Sequence, residues 1–150
     1  MSGALAVALP TVDEEIWRYS RIGELDLGDF RTADVPWSAN GPDGLVTRGS
    51  ETDIGIVMST PTDVFAELNA AHHGAPIVVR TRRGQVVEAP VVLDHHLTVE
   101  GSAVFPRLVI DAAEDSEVTV VQRFTSTDIR AFVAPVVEVR AAASARVKFL

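Results

Sequence analysis

Between Pro76 and Leu150, valine and isoleucine arrive in bursts too short and too closely spaced for helices, and this restricts the fold more than any other feature. Pro76–Arg80, Pro90–Leu93, Val104–Ile110, Val118–Val121, Pro135–Arg140 and Ala145–Leu150 each read as a strand. β-Branched side chains suit the pleated surface, while Gly, Pro, Asp and Ser punctuate the gaps. The later bursts alternate, placing Val137, Val139, Val147 and Phe149 on one face and Glu138, Arg140, Arg146 and Lys148 on the other. No helical spacing separates the bursts, which argues against a βαβ repeat. The pattern predicts a strand-only layer structure: a sandwich, a barrel or a parallel β-helix.

Two helices are expected ahead of this block. Thr11-Val12-Asp13-Glu14 is a capping-box pattern and predicts a short helix over Val12–Tyr19, with Ile16, Trp17 and Tyr19 docking it on something larger. Thr60-Pro61-Thr62-Asp63 predicts a second helix over Pro61–His73, with Thr60 as N-cap, Pro61 in the first turn and Gly74 ending it in the left-handed conformation. Val64, Leu68 and Ala71, with Phe65 beside them, form its apolar stripe. Gly23–Ser50 is turn-rich and reads as an ordered loop region with one short strand, held at Phe30 and Trp37. Ile54–Met58 is a further strand candidate. The expected division is an N-terminal helical and loop segment over 1–74, capping a β domain over 75–150.

Composition excludes several classes of function. The chain has 150 residues and no cysteine, hence no disulfide, no thiolate nucleophile and no Cys-held zinc or iron–sulfur site of its own. The net charge of −8 falls on residues 1–70, with 12 acids against 4 Lys/Arg, whereas residues 71–150 balance at 9 against 9. Nucleic-acid binding needs a basic face, and only Arg80, Arg82 and Arg83 cluster, at what reads as a solvated hairpin tip. No run reaches the ~20 apolar residues of a membrane span, and Met1–Pro10 lacks the basic region of a signal peptide, so a cytoplasmic location is expected.

The search for site chemistry yields no catalytic, cofactor-binding or metal-binding residue. His72-His73 and His95-His96 are the only potential metal constellation. Adjacent histidines point about 100° apart on a helix and to opposite faces of a strand, so a site needs one from each pair plus a carboxylate such as Asp94. Ser102, Ser116, Ser126 and Ser144 lie in turn-like contexts, without a nucleophile-elbow motif. Asp94, Asp111, Asp115 and Asp128 could pair for glycoside chemistry, but each sits between strands, where Asp is an ordinary turn residue. The residues point to a binding or structural protein, not an enzyme.

Three stretches together resemble the SufB/SufD family of iron–sulfur cluster assembly proteins, and its SufD branch most. Leu9-Pro10 followed by Glu14-Glu15-Ile16-Trp17-Arg18-Tyr19-Ser20 is similar to the family's N-terminal signature. Asp63–Ala71 with Gly74 is similar to the helix that precedes its core, and Ile77–Ala145 resembles its opening strands. The resemblance implies a mainly β fold: the opening coils of a right-handed parallel β-helix with a small α-helical and loop N-terminal segment. The alternative fold is a β-sandwich. It also implies a non-catalytic scaffold that partners a SufB-like subunit and a SufC-like ATPase, with any iron or cluster handled by the whole complex. Family members run to several hundred residues, and the cluster-handling cysteine and histidine lie in later coils. The chain therefore reads as a fragment or a truncated paralogue, expected to self-associate or take a partner through the strand edge at Leu150. The alternatives are a stand-alone β-helix interaction module and a carbohydrate-active β-helix protein.

Overall fold

Each valine-rich burst contributes to a strand, and Val104–Ile110 to two, in the computed structural model, which describes Leu5 and residues 7–150. In chain order the strands are β1 (Arg31–Thr32), β2 (Trp37–Ala39), β3 (Val46–Arg48), β4 (Ile77–Arg80), β5 (Val91–Leu97), β6 (Ser102–Val104), β7 (Arg107–Ala112), β8 (Glu117–Ser126), β9 (Ala131–Val133), β10 (Val136–Ala141) and β11 (Arg146–Phe149). A single α-helix among the described residues, α1 (Val64–His72), separates β3 from β4.

From β4 onward the chain visits three sheets in turn and comes back to each. The sheets have the orders β10-β7-β4-β3, β11-β8-β5-β2 and β1-β6-β9. Every pairing among β4–β11 is parallel, with Ile77 opposite Leu108 opposite Val137, Val91 opposite Val120 opposite Phe149, and Ser102 opposite Ala131. Each return thus takes 29–31 residues. Such pairing is foreign to an antiparallel sandwich. The turn residues repeat with the strands: Gly84, Asp115 and Ser144 all have positive φ, and Gly84 and Asp115 donate their amides to Glu114 and Ala143, next to the corresponding positions.

Alternation then fills the space between the sheets. Ile77, Val79, Leu108 and Ile110 face Val91, Leu93, Val118 and Val120 in one fully buried cluster, with Val137 and Val147 packed against it. A second cluster joins Leu68 of α1 and Leu27 and Phe30 of the N-terminal segment to Ala103, Phe105 and Ala134. The predicted stripe of Val137, Val139, Val147 and Phe149 has the expected register, but Val139 and Phe149 remain exposed because no strand pairs beyond β10 and β11 among the described residues. At the opposite edges, β2 and β3 pair antiparallel with β5 and β4, and β1 pairs with β6.

Several expectations need correction. The helix over Val12–Tyr19 is one 3-10 turn, Glu15–Trp17; Glu14 does reach back to the Thr11 amide, but Ile16 and Tyr19 point to solvent and Trp17 alone docks, edge-on to Phe65. α1 starts at Val64 and not at Pro61, because the Asp63 carboxylate takes the Ala66 amide at 2.8 Å and so becomes the N-cap. It ends at an extended His73, and Gly74 is not left-handed. The loop region holds three short strands in place of one, since β1–β3 complete the leading sheet edges. Val104–Ile110 breaks at Phe105-Pro106 into β6 and β7, and β9 is an addition. Arg80, Arg82 and Arg83 flank a corner between sheets, not a hairpin tip. Ile54–Met58 is not a strand: its backbone amides are used by a side chain.

Candidate functional site

That side chain is Glu138, at the centre of β10. Register places it beside Val109 and Val78 on the outer face of their sheet, where alternation alone would leave it in water. Residues 49–58 cover that face, and the Glu138 side chain is 1% exposed. Its carboxylate accepts the amides of Gly55 and Val57 at 2.9 Å and of Met58 at 3.2 Å, and Arg107 Nη2 at 2.6 Å. Gly55 is left-handed, at φ 75°, which lets the chain curl around the oxygens. Burial pushes the carboxyl up, but the Val57 and Gly55 amides, Arg107 and the Met58 amide outweigh it and hold Glu138 down at about 2.

Arg107 carries the network inward. Its Nη1 donates to Asn69 Oδ1 at 3.2 Å, and Asn69 Nδ2 donates to the carbonyls of Pro106 and Ala134 at 2.9 and 2.8 Å. Asn69 is fully buried on α1, so one side chain ties the helix to two turns of the β block. An isolated buried ion is costly, and here every oxygen of the pair has a donor. Arg107 Nε is the exception: it is buried with no hydrogen-bond partner.

Beside Arg107 lies a cleft of about 470 Å³. It brings together one member of each predicted histidine pair, His72 and His95, with Asp34, Arg48, Trp37 and Phe105. Asp34 is the cleft's carboxylate, while Asp94 belongs to a shallower groove with Arg123. No group of three or more His, Asp or Glu among the described residues could hold a metal ion. His95 is 1% exposed and stacked on Phe124 at 4.7 Å and 11°. Burial pushes its imidazole below the ordinary range, against an opposing pull from Asp94. Its Nε2 lies 3.1 Å from the Gln122 amide nitrogen, and its Nδ1 is buried without a partner. The other two histidines are used locally, His73 Nδ1 on the Gly74 carbonyl and His96 Nδ1 on Thr125 Oγ1.

The acidic candidates are not gathered into one site. Asp94 is bound by Arg123, its register partner on the neighbouring parallel strand, which holds it below the usual carboxylate range. Asp111 sits between Arg140 and Arg80; Arg140 most, and Arg80 with it, hold it low against the effect of burial. Asp115 occupies a left-handed turn position, and Asp128 is exposed. Neither Asp94 nor Asp111 has the raised pKa that an acid in glycoside chemistry requires. Their partners carry a signal that was present in the chain all along. Asp94 and Arg123, Asp111 and Arg140, and Glu117 and Arg146 are each 29 apart, the spacing of the parallel register. No comparable local signal marks Asn69, Arg107 or Glu138.

Comparison with known families places part of this structure. Residues 95–150, from His95 in β5 through β11, match the family model of the SUF system FeS cluster assembly, SufBD core domain. The match falls on the third of the resembling stretches; the segments around Trp17 and Asp63–Gly74 lie outside it. No curated protein and no solved structure matches the chain.

Proposed function

Taking residues 95–150 as SufB/SufD-family core sequence, we propose that this chain is a SufD-like scaffold component of the SUF iron–sulfur cluster assembly machinery. The family match carries the reading, and the parallel stacking supports it. Three sheets revisited every 29–31 residues suit the parallel β-helix that this reading requires. Crossovers between parallel strands are almost always right-handed, so the coils are assigned that hand. Residues 75–150 are then its opening coils, and residues 1–74 their cap.

The scaffold acts through protein contacts, in the cytoplasm, with a SufB-like subunit and a SufC-like ATPase, and performs no catalysis of its own. Among the described residues no helix is long and apolar enough to cross a membrane. The cluster is cargo of the assembled complex, with no ligand assigned on this chain. The free edges of β10 and β11, with Val139, Phe149 and Leu150 exposed beside them, offer the surface on which further strands, a second copy or a partner would add.

Anaerobic co-expression with SufB-like and SufC-like proteins tests the proposal. The expected result is a stoichiometric complex that survives gel filtration. Failure of both proteins to co-purify would leave the stand-alone interaction module. A cluster reconstituted on this chain alone would overturn the absence of a ligand.

A further inference from the structure

The turns between Leu9 and Ile22 carry the two most exposed large apolar side chains among the described residues: Tyr19 is 94% exposed and Ile16 87%, with Val12 at 46%. The segment that carries them is nonetheless fixed to the core. Leu9 packs against the second hydrophobic cluster, Trp17 sits edge-on to Phe65 at 5.3 Å, and Ile22 is buried. Val12, Ile16 and Tyr19 follow the spacing i, i+4 and i+7, which makes one stripe of an α-helix. Trp17 falls about 100° or more around that helix from each of them, so the stripe and the anchor use different sides. The backbone is already wound part of the way. Glu14, Trp17 and Ser20 each donate an amide to the carbonyl three residues back, and the Thr11 hydroxyl accepts the Asp13 amide while the Glu14 carboxylate accepts that of Thr11. Glu14, extended at ψ 127°, interrupts the winding. Two turns cannot hold an α-helix in water while their apolar stripe has no surface to pack on.

We propose that Val12–Tyr19 is a docking segment: it winds into an α-helix in an apolar groove of a partner protein rimmed by Lys and Arg, with Val12, Ile16 and Tyr19 inserted. Charge selects the partner. Asp13 and Glu15 are exposed and fall on either side of the stripe, in the first turn, where acids also favour the helix. Residues 1–70 as a whole carry 12 acids against 4 Lys/Arg. That field attracts a basic rim and repels an anionic lipid surface, so a protein groove is favoured over a membrane. A second copy is poorly matched, because its residues 1–70 repel and its residues 71–150 balance at 9 acids against 9 bases. The segment lies outside residues 95–150, so the proposal stands independently of the scaffold reading.

Photo-crosslinking in the native cells tests this, with benzoylphenylalanine replacing Ile16 or Tyr19 in the full chain. The control carries it at Val99, which is 55% exposed at the corner between β5 and β6. The expected result is one protein captured from both positions and not from Val99. That protein, purified, is expected to bind the unlabelled full chain and to move the ¹³Cα shifts of residues 12–19 to helical values. Ile16→Asp is expected to weaken its binding at least about tenfold, and Glu15→Lys or added salt to weaken it further. Ile16 and Glu15 are exposed, so both variants retain the fold. Absence of adducts, or the same adducts from Val99, would show that the stripe has no partner of its own. Adducts of lipid, or of twice the mass of the chain, would assign it to a membrane or to self-association. A captured protein that binds Ile16→Asp equally well, or leaves residues 12–19 unwound, would show contact without docking. Each of these results overturns the proposal.

Discussion

Replacing Glu138 by glutamine keeps the shape of the side chain and removes the charge that orders the network around it. The carboxyl titrates at about 2 in the folded chain, against an ordinary value of 4.5. A carboxyl held below its unfolded value stabilises the fold above that value, so the contribution is complete by about pH 5 and is lost as pH falls through 2. At neutral pH it amounts to about 3 kcal/mol. Glu138→Gln also leaves Arg107 buried without its counter-ion and turns an amide group toward one of the N–H donors of Gly55, Val57 and Met58. Breaking a buried pair from one side costs about 3–5 kcal/mol, and that loss is expected at pH 7. Urea unfolding followed by tryptophan fluorescence from pH 7 to pH 3 measures both effects. Between pH 5 and pH 3 the native chain is expected to lose about 2 kcal/mol more than the variant. The lowered Asp53, Asp94 and Asp111 titrate in both proteins and cancel in the comparison. Parallel stability curves for the two proteins over that range would refute the assignment of Glu138 as a buried, ionised anchor.

Asn69→Leu strands the Pro106 and Ala134 carbonyls and one Arg107 nitrogen, and is expected to lower the unfolding free energy by about 2–4 kcal/mol in the same urea assay, whereas an exposed α1 position such as Glu67→Gln shifts it by less than about 0.5 kcal/mol. Gly49→Ala places a Cβ 2.5 Å from Val78 Cγ2 and 2.9 Å from Asp53 Oδ2; Val78 is fully packed, so a loss of about 1–3 kcal/mol and a lower melting temperature are expected. Ser144→Gly relieves a left-handed serine at φ 58°, and thermal unfolding is expected to show a gain of up to about 1 kcal/mol, less the entropy that glycine adds to the unfolded chain. A destabilised Ser144→Gly protein would show that the hydroxyl matters more than the backbone strain.

The strand bursts, their alternation and the existence of α1 were legible because they are local. Val/Ile pairs separated by turn residues favour extended backbone wherever they occur, and a Leu68-centred stripe after a capping residue makes a helix in most settings. The spacing of the parallel register was also written in the chain, in acid–base pairs 29 residues apart, because in-register parallel strands place those side chains next to one another. The helix predicted at Val12–Tyr19 fails for the converse reason: one or two turns hold only where packing supports them, and only Trp17 finds a partner.

The candidate site depended on residues that no window of sequence brings together. Glu138 alternates as a solvent-facing position, and Ile54–Met58 has the composition of a strand. The fold superimposes them, so amides that would have entered a sheet ladder close on a carboxylate more than 80 residues away. His72 and His95 likewise meet in one cleft only because α1 ends beside β5 and β7. Sequence by itself determined a β-rich chain with repeating strands and no thiol chemistry, through propensities and periodicities that act between near neighbours. Tertiary structure alone decided which polar groups are buried, which of them find partners and which do not, because burial and hydrogen-bond satisfaction are properties of the whole packed chain.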